Sequence, residues 1–277
     1  MAEADIDAIV LLTRVAGEGN IQEVKRLIPL TGTNEFVLWA VPEAAKFGQI
    51  ECMKILLDAG ASEHLNLGSL HRSVVEAVRS NQAESLKFIF SVYEQYGHKK
   101  FDCAEALFEA TLKNDVDMLK MLLPYCNSNA CGNKALNEAV YNDNMETFTL
   151  LLPVSDPRHN DSAALTAAVK LNRSEFFEIL LPLSDVTGDE YLAFREAVHL
   201  GYLDFAKKMY PLVDVQAVEK SVIDNQSWDD DDFELTPEEF MENLFEIAAE
   251  IQKETLYNSI SQHRARDCLP LKSPPKM

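Results

Sequence analysis

The sequence predicts an all-α solenoid of about seven stacked helix pairs, closed by a C-terminal capping helix. Three observations lead to this fold class. A small residue recurs every 29 or 33 residues, a turn-forming residue follows it by four positions, and an amphipathic pattern follows each turn. One helix pair cannot bury both of its apolar faces, whereas stacked pairs can, so this register is typical of a solenoid.

The first element of each unit is a helix that carries a small anchor residue. The anchors are Val15, Ala44, Ala77, Ala110, Ala139, Ala168 and Ala197. An apolar residue lies three positions before every anchor, which gives the helix a stripe for burial. Four positions after each anchor stands a Gly, Asn or Asp, the types that best tolerate a left-handed backbone. These residues predict a helix C-cap with a tight turn, at Gly19, Gly48, Asn81, Asn114, Asp143, Asn172 and Gly201.

The second element of each unit is an amphipathic helix. An acidic or amide residue three positions after the turn suits the first turn of a helix, where backbone amides are exposed. Apolar residues five, eight and nine positions after the turn form an i, i+3, i+4 stripe. Proline then stops the helix in five of the seven units, at Pro29, Pro124, Pro153, Pro182 and Pro211.

At these residues the chain resembles the ankyrin-repeat family, over roughly residues 10–212. The segment 44–61, which runs from Ala44 through Gly48 to Leu56-Leu57, is the clearest instance. The resemblance implies a solenoid that binds other proteins through its inner helices. The family's Thr-Pro-Leu-His opening is absent, and four of the six spacings are 29 residues rather than the roughly 33 typical of the family. We therefore expect that the family's β-hairpin finger is lost. Such divergent repeats resemble those of bacterial secreted effectors and of phage or viral host-interaction proteins.

Three segments are predicted: the solenoid over 1–212, an acidic loop with a capping helix over 213–260, and a disordered tail over 261–277. The tail is basic and rich in proline, a composition that does not support a packed core. Residues 229–254 contain 11 acids and one Lys, so half of the chain's net charge lies beside the predicted cap.

The capping helix has its own start signal and its own apolar face. Thr236, Pro237 and Glu239 form a capping box with proline at the first helical position. The apolar face that follows consists of Phe240, Leu244, Ile247 and Ile251. We expect this face to cover the last repeat.

Charge and cysteine usage restrict the partner and the compartment. A formal charge of −20 repels phosphate, so no direct nucleic-acid binding is expected. Five scattered cysteines, an odd number, favour free thiols in a reducing compartment. Neither a secretory signal nor an apolar stretch of membrane-spanning length is visible. We expect a cytoplasmic protein, in the host cytoplasm if the chain is delivered as a secreted effector.

A row of glutamates marks the candidate binding face. Glu43, Glu76, Glu109, Glu138 and Glu196 each lie one position before an anchor, on the predicted inner helices. One interpretation is an acidic groove for a basic segment of a partner. The other is local support, through pairs with a Lys or Arg three or four positions later.

The local interpretation assigns partners to three glutamates only. Lys46, Arg79 and Lys113 stand near Glu43, Glu76 and Glu109, while Glu138 and Glu196 have Tyr141 and His199 at the i+3 position. The last two glutamates are therefore the better binding candidates. Phe47 and Tyr141 are aromatic hot-spot candidates, and Trp228 and Phe233 beside the aspartates are candidates for a docking motif. The candidate partner-binding residues are Glu43, Phe47, Glu76, Glu109, Glu138, Tyr141, Glu196, His199, Trp228 and Phe233.

No pattern of catalysis or of cofactor binding is found. The run at Asp229–Asp232 lacks the Gly and Glu of a calcium loop, and Cys126 with Cys131 lacks a second ligand pair for zinc. Gly-x-Ser-x-Gly, phosphate-loop and His-Glu-x-x-His motifs are missing from the sequence. We expect no metal and no cofactor.

The prediction is thus a non-enzymatic module, monomeric on its own, that binds another protein, one with a basic surface being favoured. A secreted effector or an inhibitor of a host factor fits this description. The alternative is an acidic nucleic-acid mimic that inhibits a nucleic-acid-binding enzyme.

Overall fold

The structure is a computed structural model that describes residues 3–31, 34–60, 67–97, 100–126, 132–224 and 237–267. These residues form 17 α-helices and six short 3-10 turns. Their β-structure is limited to one isolated bridge, between Phe101 and Cys126. The chain divides into two compact units, Met1–His159 and Asn160–Met277.

Unit 1 contains five helix pairs. They are α1 (Glu3–Gly17) with α2 (Ile21–Leu27), α3 (Asn34–Val37) and α4 (Val41–Lys46) with α5 (Ile50–Gly60), α6 (Leu67–Arg79) with α7 (Ala83–Gln95), α8 (Ala104–Leu112) with α9 (Val116–Leu122), and α10 (Asn133–Tyr141) with α11 (Met145–Leu151). The first helices of neighbouring pairs pack on one another, in the order α1, α4, α6, α8, α10. A 3-10 turn over Leu38–Ala40 separates α3 from α4, where Pro42 supplies no backbone N–H.

Unit 2 contains two helix pairs and two further helices. The pairs are α12 (His159–Lys170, from Asn160 onward in this unit) with α13 (Ser174–Leu180), and α14 (Gly188–His199) with α15 (Leu203–Met209); α16 (Val215–Asp224) and α17 (Pro237–Asp267) follow. The helix α17 packs on α14, α15 and α16. The predicted fold class is confirmed within each unit. In unit 1 the first helices of neighbouring pairs pack on one another, and in unit 2 the capping helix α17 packs on the last pair.

The predicted turns are confirmed at all seven positions. Every predicted turn residue has a positive φ, between 53° and 74°. The N–H of the residue after each turn donates to the carbonyl of the anchor five positions earlier, as from Gln82 to Ala77 at 2.7 Å and from Asp115 to Ala110 at 3.0 Å. This is the Schellman arrangement, which satisfies carbonyls at the helix end. The spacing of the anchors therefore reflects a repeated hydrogen bond as well as close packing.

The predicted core stripes are buried in both units. All seven anchors are buried, and so are the apolar residues three before the anchor and five and eight after the turn. The prediction is wrong for most residues nine after the turn: Leu57 and Phe90 are buried, but the other five begin the 3-10 turns and are half-buried. The prolines act differently from the prediction of a plain stop. Each of the five is the middle residue of a three-residue 3-10 turn that continues the second helix, as in Leu152–Val154. Proline is tolerated there because its missing N–H falls at the start of a helical turn.

Two of the repeats of 29 residues contain a compact left-handed turn before their anchor. Asn160, Asp161 and Ser162 have positive φ, and three residues exactly one unit later, 189–191, do as well. A Cβ on Gly188 would lie 2.7 Å from the carbonyl oxygen of Asp161. Glycine at position 188 thus permits the close approach of the two turns. The isolated bridge at Phe101, by contrast, lies within a unit of 33 residues.

The capping helix buries the predicted face. Phe240, Leu244 and Ile247 are buried, while Ile251 is half-buried. The Nζ atom of Lys207 lies 2.6 Å from the Glu254 carboxylate. The helix continues to Asp267, seven residues beyond the predicted boundary at 260. The acidic run, Thr236 and residues 268–277 lie outside the described residues.

Candidate functional site

The inner helices of unit 1 form an open groove of about 860 Å³. It lies between α1, α4 and α6. Its apolar wall consists of Ile6, Ile9 and Val10 from α1, with Trp39 and Pro42 from the second pair. Ile6, Val10 and Trp39 are exposed, and Trp39, the largest of the three, is 52% exposed. Large apolar side chains that remain half in water inside a groove are typical of a binding surface.

The charged wall of the groove carries both signs. Glu43, Lys46, Arg72 and Glu76 line it. Glu43 lies 3.5 Å from Lys46. Arg72 is exposed and forms no ion pair with another described residue. Among the described residues, the groove therefore offers the cation of Arg72 without an ion pair beside apolar anchors, whereas Glu43 and Glu76 are each paired with a base.

Trp39 is held by its local structure. Its ring meets the ring of Phe36 edge to face, with centroids 5.1 Å apart. In the same segment Val37, Leu38 and Val41 are buried, so the core takes the neighbouring side chains and leaves the indole on the groove side. Holding the ring in place lowers the conformational entropy that a partner would have to remove on binding.

Four of the five glutamates in the row contact a Lys or Arg within the protein. Glu76 lies 3.3 Å from Arg79, and the same guanidinium reaches Glu109 of the next unit at 2.5 Å and Glu105 at 3.3 Å. The hydrogen bond to Glu109 is the main cause that raises the pKa of Arg79. One arginine thus serves three carboxylates. The prediction of local pairs is confirmed for Glu43 and Glu76.

The predicted pair of Glu109 with Lys113 is wrong. The ammonium of Lys113 donates to the carbonyl oxygens of Val78 and Arg79 instead. These carbonyls lie near the end of α6, where a cation is favourable. Because Arg79 forms the ion pair with Glu109, ion pairs connect neighbouring helix pairs as well as residues of one pair.

Glu138 has no such cation. Its described contact is a hydrogen bond of 3.1 Å from the side-chain amide of Asn142. The position equivalent to Arg79 in the preceding unit is Leu112, which is exposed. Because leucine stands where arginine bridged two units, Glu138 carries a carboxylate that the described residues leave without an ion pair. Tyr141, one turn along the same helix, is exposed as well.

The expectation that Glu196 lacks a cation is wrong. The Nζ atom of Lys170 lies 3.0 Å from the carboxylate of Glu196, and the side chain of Glu196 is only 6% exposed. His199 is half-buried on the same helix. Burial lowers the pKa of the neighbouring Arg195, with opposing effects from Glu190 and Asp189. In unit 2, Glu196 is thus buried and paired with Lys170, and His199 is half-buried.

The remaining candidates separate into exposed and undescribed residues. Phe47 is exposed, at the C-terminal end of α4, with Lys46 Nζ 5.1 Å from its ring centroid. Trp228 and Phe233 lie outside the described residues. The structure thus brings Glu43 and Glu76 into the groove, with Phe47 at the end of a groove helix, while Glu138 and Tyr141 form a second location further along the unit.

A smaller cavity of about 440 Å³ lies between α6 and α8 and contains His71, Arg79, Asp102 and Glu105. Burial lowers the pKa of His71, and Asp102 partly opposes this. The ring centroids of His71 and Phe101 are 5.5 Å apart, so the imidazole packs against the Phe101 ring.

Cysteine and metal chemistry has no candidate centre among the described residues. Cys52, Cys103 and Cys126 are buried and form no disulfide with a described residue, and Cys131 is not described. No group of three His, Cys, Asp or Glu in the described ranges is arranged to hold a metal ion. Within the same ranges, no helix has both the length and the apolar character required to cross a bilayer.

Sequence reasoning missed Trp39, Ile6, Val10 and Arg72. The sequence carried a signal for Trp39, because this large aromatic residue lies outside the predicted apolar stripe that contains Val41 and the anchor Ala44. The three others needed knowledge of which face of α1 and α6 borders the groove.

Solved structures include matches to this chain. The chain is similar to an ankyrin repeat protein from Leishmania major, with 16% sequence identity and a TM-score of 0.48, over 80% of this chain and 86% of that one. No model of a protein family matches the sequence. No curated protein matches it either.

Proposed function

We propose that the protein is a non-enzymatic interaction module that binds one protein partner through the inner-helix groove of unit 1. The groove between α1, α4 and α6, with half-exposed Trp39 at its apolar wall, is the observation that carries this proposal. Stacked helix pairs present such a surface on a rigid support, and divergent repeats give each part of it a different set of side chains.

The chemistry of the groove specifies the partner's segment. An aliphatic or aromatic side chain would cover Ile6, Val10 and Trp39, and an acidic group would meet Arg72. Glu43 is already paired with Lys46, so the groove itself does not call for a basic partner. A basic side chain fits the second location instead, where Glu138 accepts a hydrogen bond from Asn142 but has no ion pair with a described residue, and where Leu112 and Tyr141 are exposed. We propose that a partner long enough to reach both places carries an acidic end and a basic end.

The nucleic-acid mimic is the weaker interpretation. A mimic needs a track of unpaired negative charges that replaces phosphates. The inner-helix row supplies few of these, because Arg79 serves three carboxylates and Lys170 serves Glu196. The remaining acids of segment 229–254 are concentrated in one part of the chain rather than spaced along it.

The cellular setting is proposed on chemical grounds. Cys52, Cys103 and Cys126 are buried and form no disulfide with a described residue, which suits a reducing compartment, and we propose that the module acts in cytoplasm. Roles as a delivered effector or as an inhibitor of a host factor both use such a module. The identity and source of the bound protein distinguish these roles.

The test is affinity capture from nuclease-treated lysate with three baits: the wild-type chain, Trp39→Ala and Leu30→Ala. Leu30 is a matched control because it is also 52% exposed in unit 1, in the 3-10 turn after α2. We expect one stoichiometric protein on the wild-type and Leu30→Ala baits and its loss from Trp39→Ala, since a central aromatic anchor contributes about 2 kcal/mol or more.

Two results would count against the proposal. Equal retention on all three baits places the binding surface elsewhere. A set of nucleic-acid enzymes that elutes steadily as salt rises would favour the mimic.

A further inference from the structure

One position of the repeat carries a base that contacts the glutamate of the next helix pair. Arg79 stands two residues after its anchor, and its guanidinium lies 2.5 Å from Glu109, which stands one residue before the next anchor. In unit 2 Lys170 stands at the same position of its repeat, and its ammonium lies 3.0 Å from Glu196. The repeat therefore brings a base of one pair to a carboxylate of the next.

The contact between α8 and α10 departs from this arrangement. Leu112 stands two residues after the anchor of α8, and Glu138 stands one residue before the anchor of α10. The two helices pack on each other, as α6 and α8 do. Leu112 is exposed, so this side chain does not serve the core. Glu138 thus has the position of Glu109 in the repeat, while leucine has the position of Arg79.

Two lysines near this contact are bound elsewhere. Lys134 precedes Glu138 by four residues, a spacing at which acid and base often pair on a helix. Its Nζ atom lies 3.9 Å from the centroid of the Phe108 ring instead. Lys113, beside Leu112, donates to carbonyl oxygens of α6. The described contact of Glu138 is one hydrogen bond from an amide, and a carboxylate has about four acceptor positions, so Glu138 retains capacity for a further donor.

The exposed side chains of the second location favour arginine over lysine. Tyr141 lies one turn after Glu138 on α10, and both Tyr141 and Leu112 are exposed. A guanidinium is planar, stacks on aromatic rings and is more weakly hydrated than an ammonium, so it gains more from an exposed ring and an apolar neighbour. It also donates two parallel hydrogen bonds that match a carboxylate.

We propose that Glu138, together with Leu112 and Tyr141, binds an arginine side chain of the protein partner. The partner's guanidinium takes the place at Glu138 that Arg79 takes at Glu109. This inference rests on the proposed function, because it names the basic residue that the partner of the groove presents at the second location. The two contacts belong to different helix pairs, so each of them can be lost alone.

The first test supplies the base from the chain itself. Leu112→Arg should pair with Glu138, and hydrogen exchange of peptides from α8 and α10 should become about two- to fivefold slower, as for an ion pair at a surface. Leu112→Gln is the matched control, because it has a similar helix propensity and no charge. Adding Glu138→Gln to Leu112→Arg should abolish the gain. Equal exchange in Leu112→Arg and Leu112→Gln, or a gain that survives Glu138→Gln, would overturn the proposal.

The second test uses a phage-displayed library of random peptides as the probe, panned on the full chain at moderate salt. Salt screens general attraction to a chain of net charge −20. We expect enriched peptides with an arginine, and about tenfold weaker binding of them to Glu138→Gln and to Leu112→Arg, whose own guanidinium occupies the site. The controls are Glu84→Gln on α7 and Leu30→Arg, which make the same charge changes at exposed residues elsewhere in unit 1.

The variant Trp39→Ala separates failure of this inference from failure of the proposed function. Peptides that are lost from Trp39→Ala but bind Glu138→Gln as well as they bind Glu84→Gln would overturn the arginine site and support the groove. Peptides that are lost from Glu138→Gln and retained on Trp39→Ala would support the arginine site and count against the groove. A panning experiment that yields no arginine peptide dependent on Glu138 would overturn the inference.

Discussion

Replacing Lys170 by Met should loosen the contact between the first helices of unit 2. The ammonium of Lys170 lies 3.0 Å from the carboxylate of Glu196, whose side chain is only 6% exposed, while that of Lys170 is 46% exposed. Methionine keeps an apolar stem of similar length and removes the charge. The buried carboxylate is then left without its cation.

The size of the effect follows from the burial of the pair. Two unit charges 3 Å apart attract by about 5 kcal/mol at an effective dielectric constant of about 20. Exposed pairs retain roughly 0–1 kcal/mol of this, whereas breaking a buried pair costs about 3–5 kcal/mol. One partner here is buried and the other is half in water, so screening reduces the loss to about 2 kcal/mol. Since about 1.4 kcal/mol corresponds to a factor of ten, amide protons that exchange by local opening should exchange about 30-fold faster.

Hydrogen exchange by mass spectrometry measures this loss directly in the full chain. Peptides that cover α12 and α14 should show it, and peptides from unit 1 should not. Lys120→Met is the matched control, because its 3.2 Å pair with Glu146 has side chains 53% and 64% exposed and should cost less than about 1 kcal/mol. Adding Glu196→Gln to Lys170→Met should recover part of the loss. Equal effects of the two lysine variants, or no recovery in the double variant, would refute the reasoning.

Three further predictions test the fold. Asn172 has φ 53°, so Asn172→Val should cost about 1–2 kcal/mol in urea unfolding while Asn172→Gly stays within a few tenths. Burial lowers the pKa of His71 below 6.5; the unfolded chain then binds more protons, so stability should fall as pH drops through 6.5, and His71→Phe should remove that part of the pH profile. Leu244→Ala should lower the unfolding free energy by about 2–4 kcal/mol, because Leu244 is a buried residue of the capping helix, whereas Phe245→Ala, at an exposed residue of the same helix, should change it little.

The elements with a strict local cause could be predicted from the sequence. A left-handed residue four positions after each anchor needs Gly, Asn or Asp, and these letters stand at all seven turns. The same register determined which apolar residues are buried, because spacing on a helix fixes which side chains share a face. The prolines gave the position of each helix end but not its form as a 3-10 turn.

Contacts between neighbouring helix pairs could not be predicted in the same way. Arg79 bonds to Glu109 thirty residues away, and nothing in local spacing distinguishes it from Lys113 as the partner of that acid. Lys170 likewise forms an ion pair with Glu196 of the following helix pair. Such contacts depend on the offset between stacked helices, which is a property of packing. The groove was missed for the same reason, since it joins side chains of three separate helices.

The most direct test of the proposed function is site-specific photo-cross-linking in lysate. A photoreactive phenylalanine replaces Trp39 in one chain and Leu30 in another; the two positions are equally exposed in unit 1, and only Trp39 lines the groove. If the groove is the binding surface, position 39 cross-links to one discrete protein and position 30 does not. The same adducts from both positions, or a discrete adduct at position 30 alone, would contradict it.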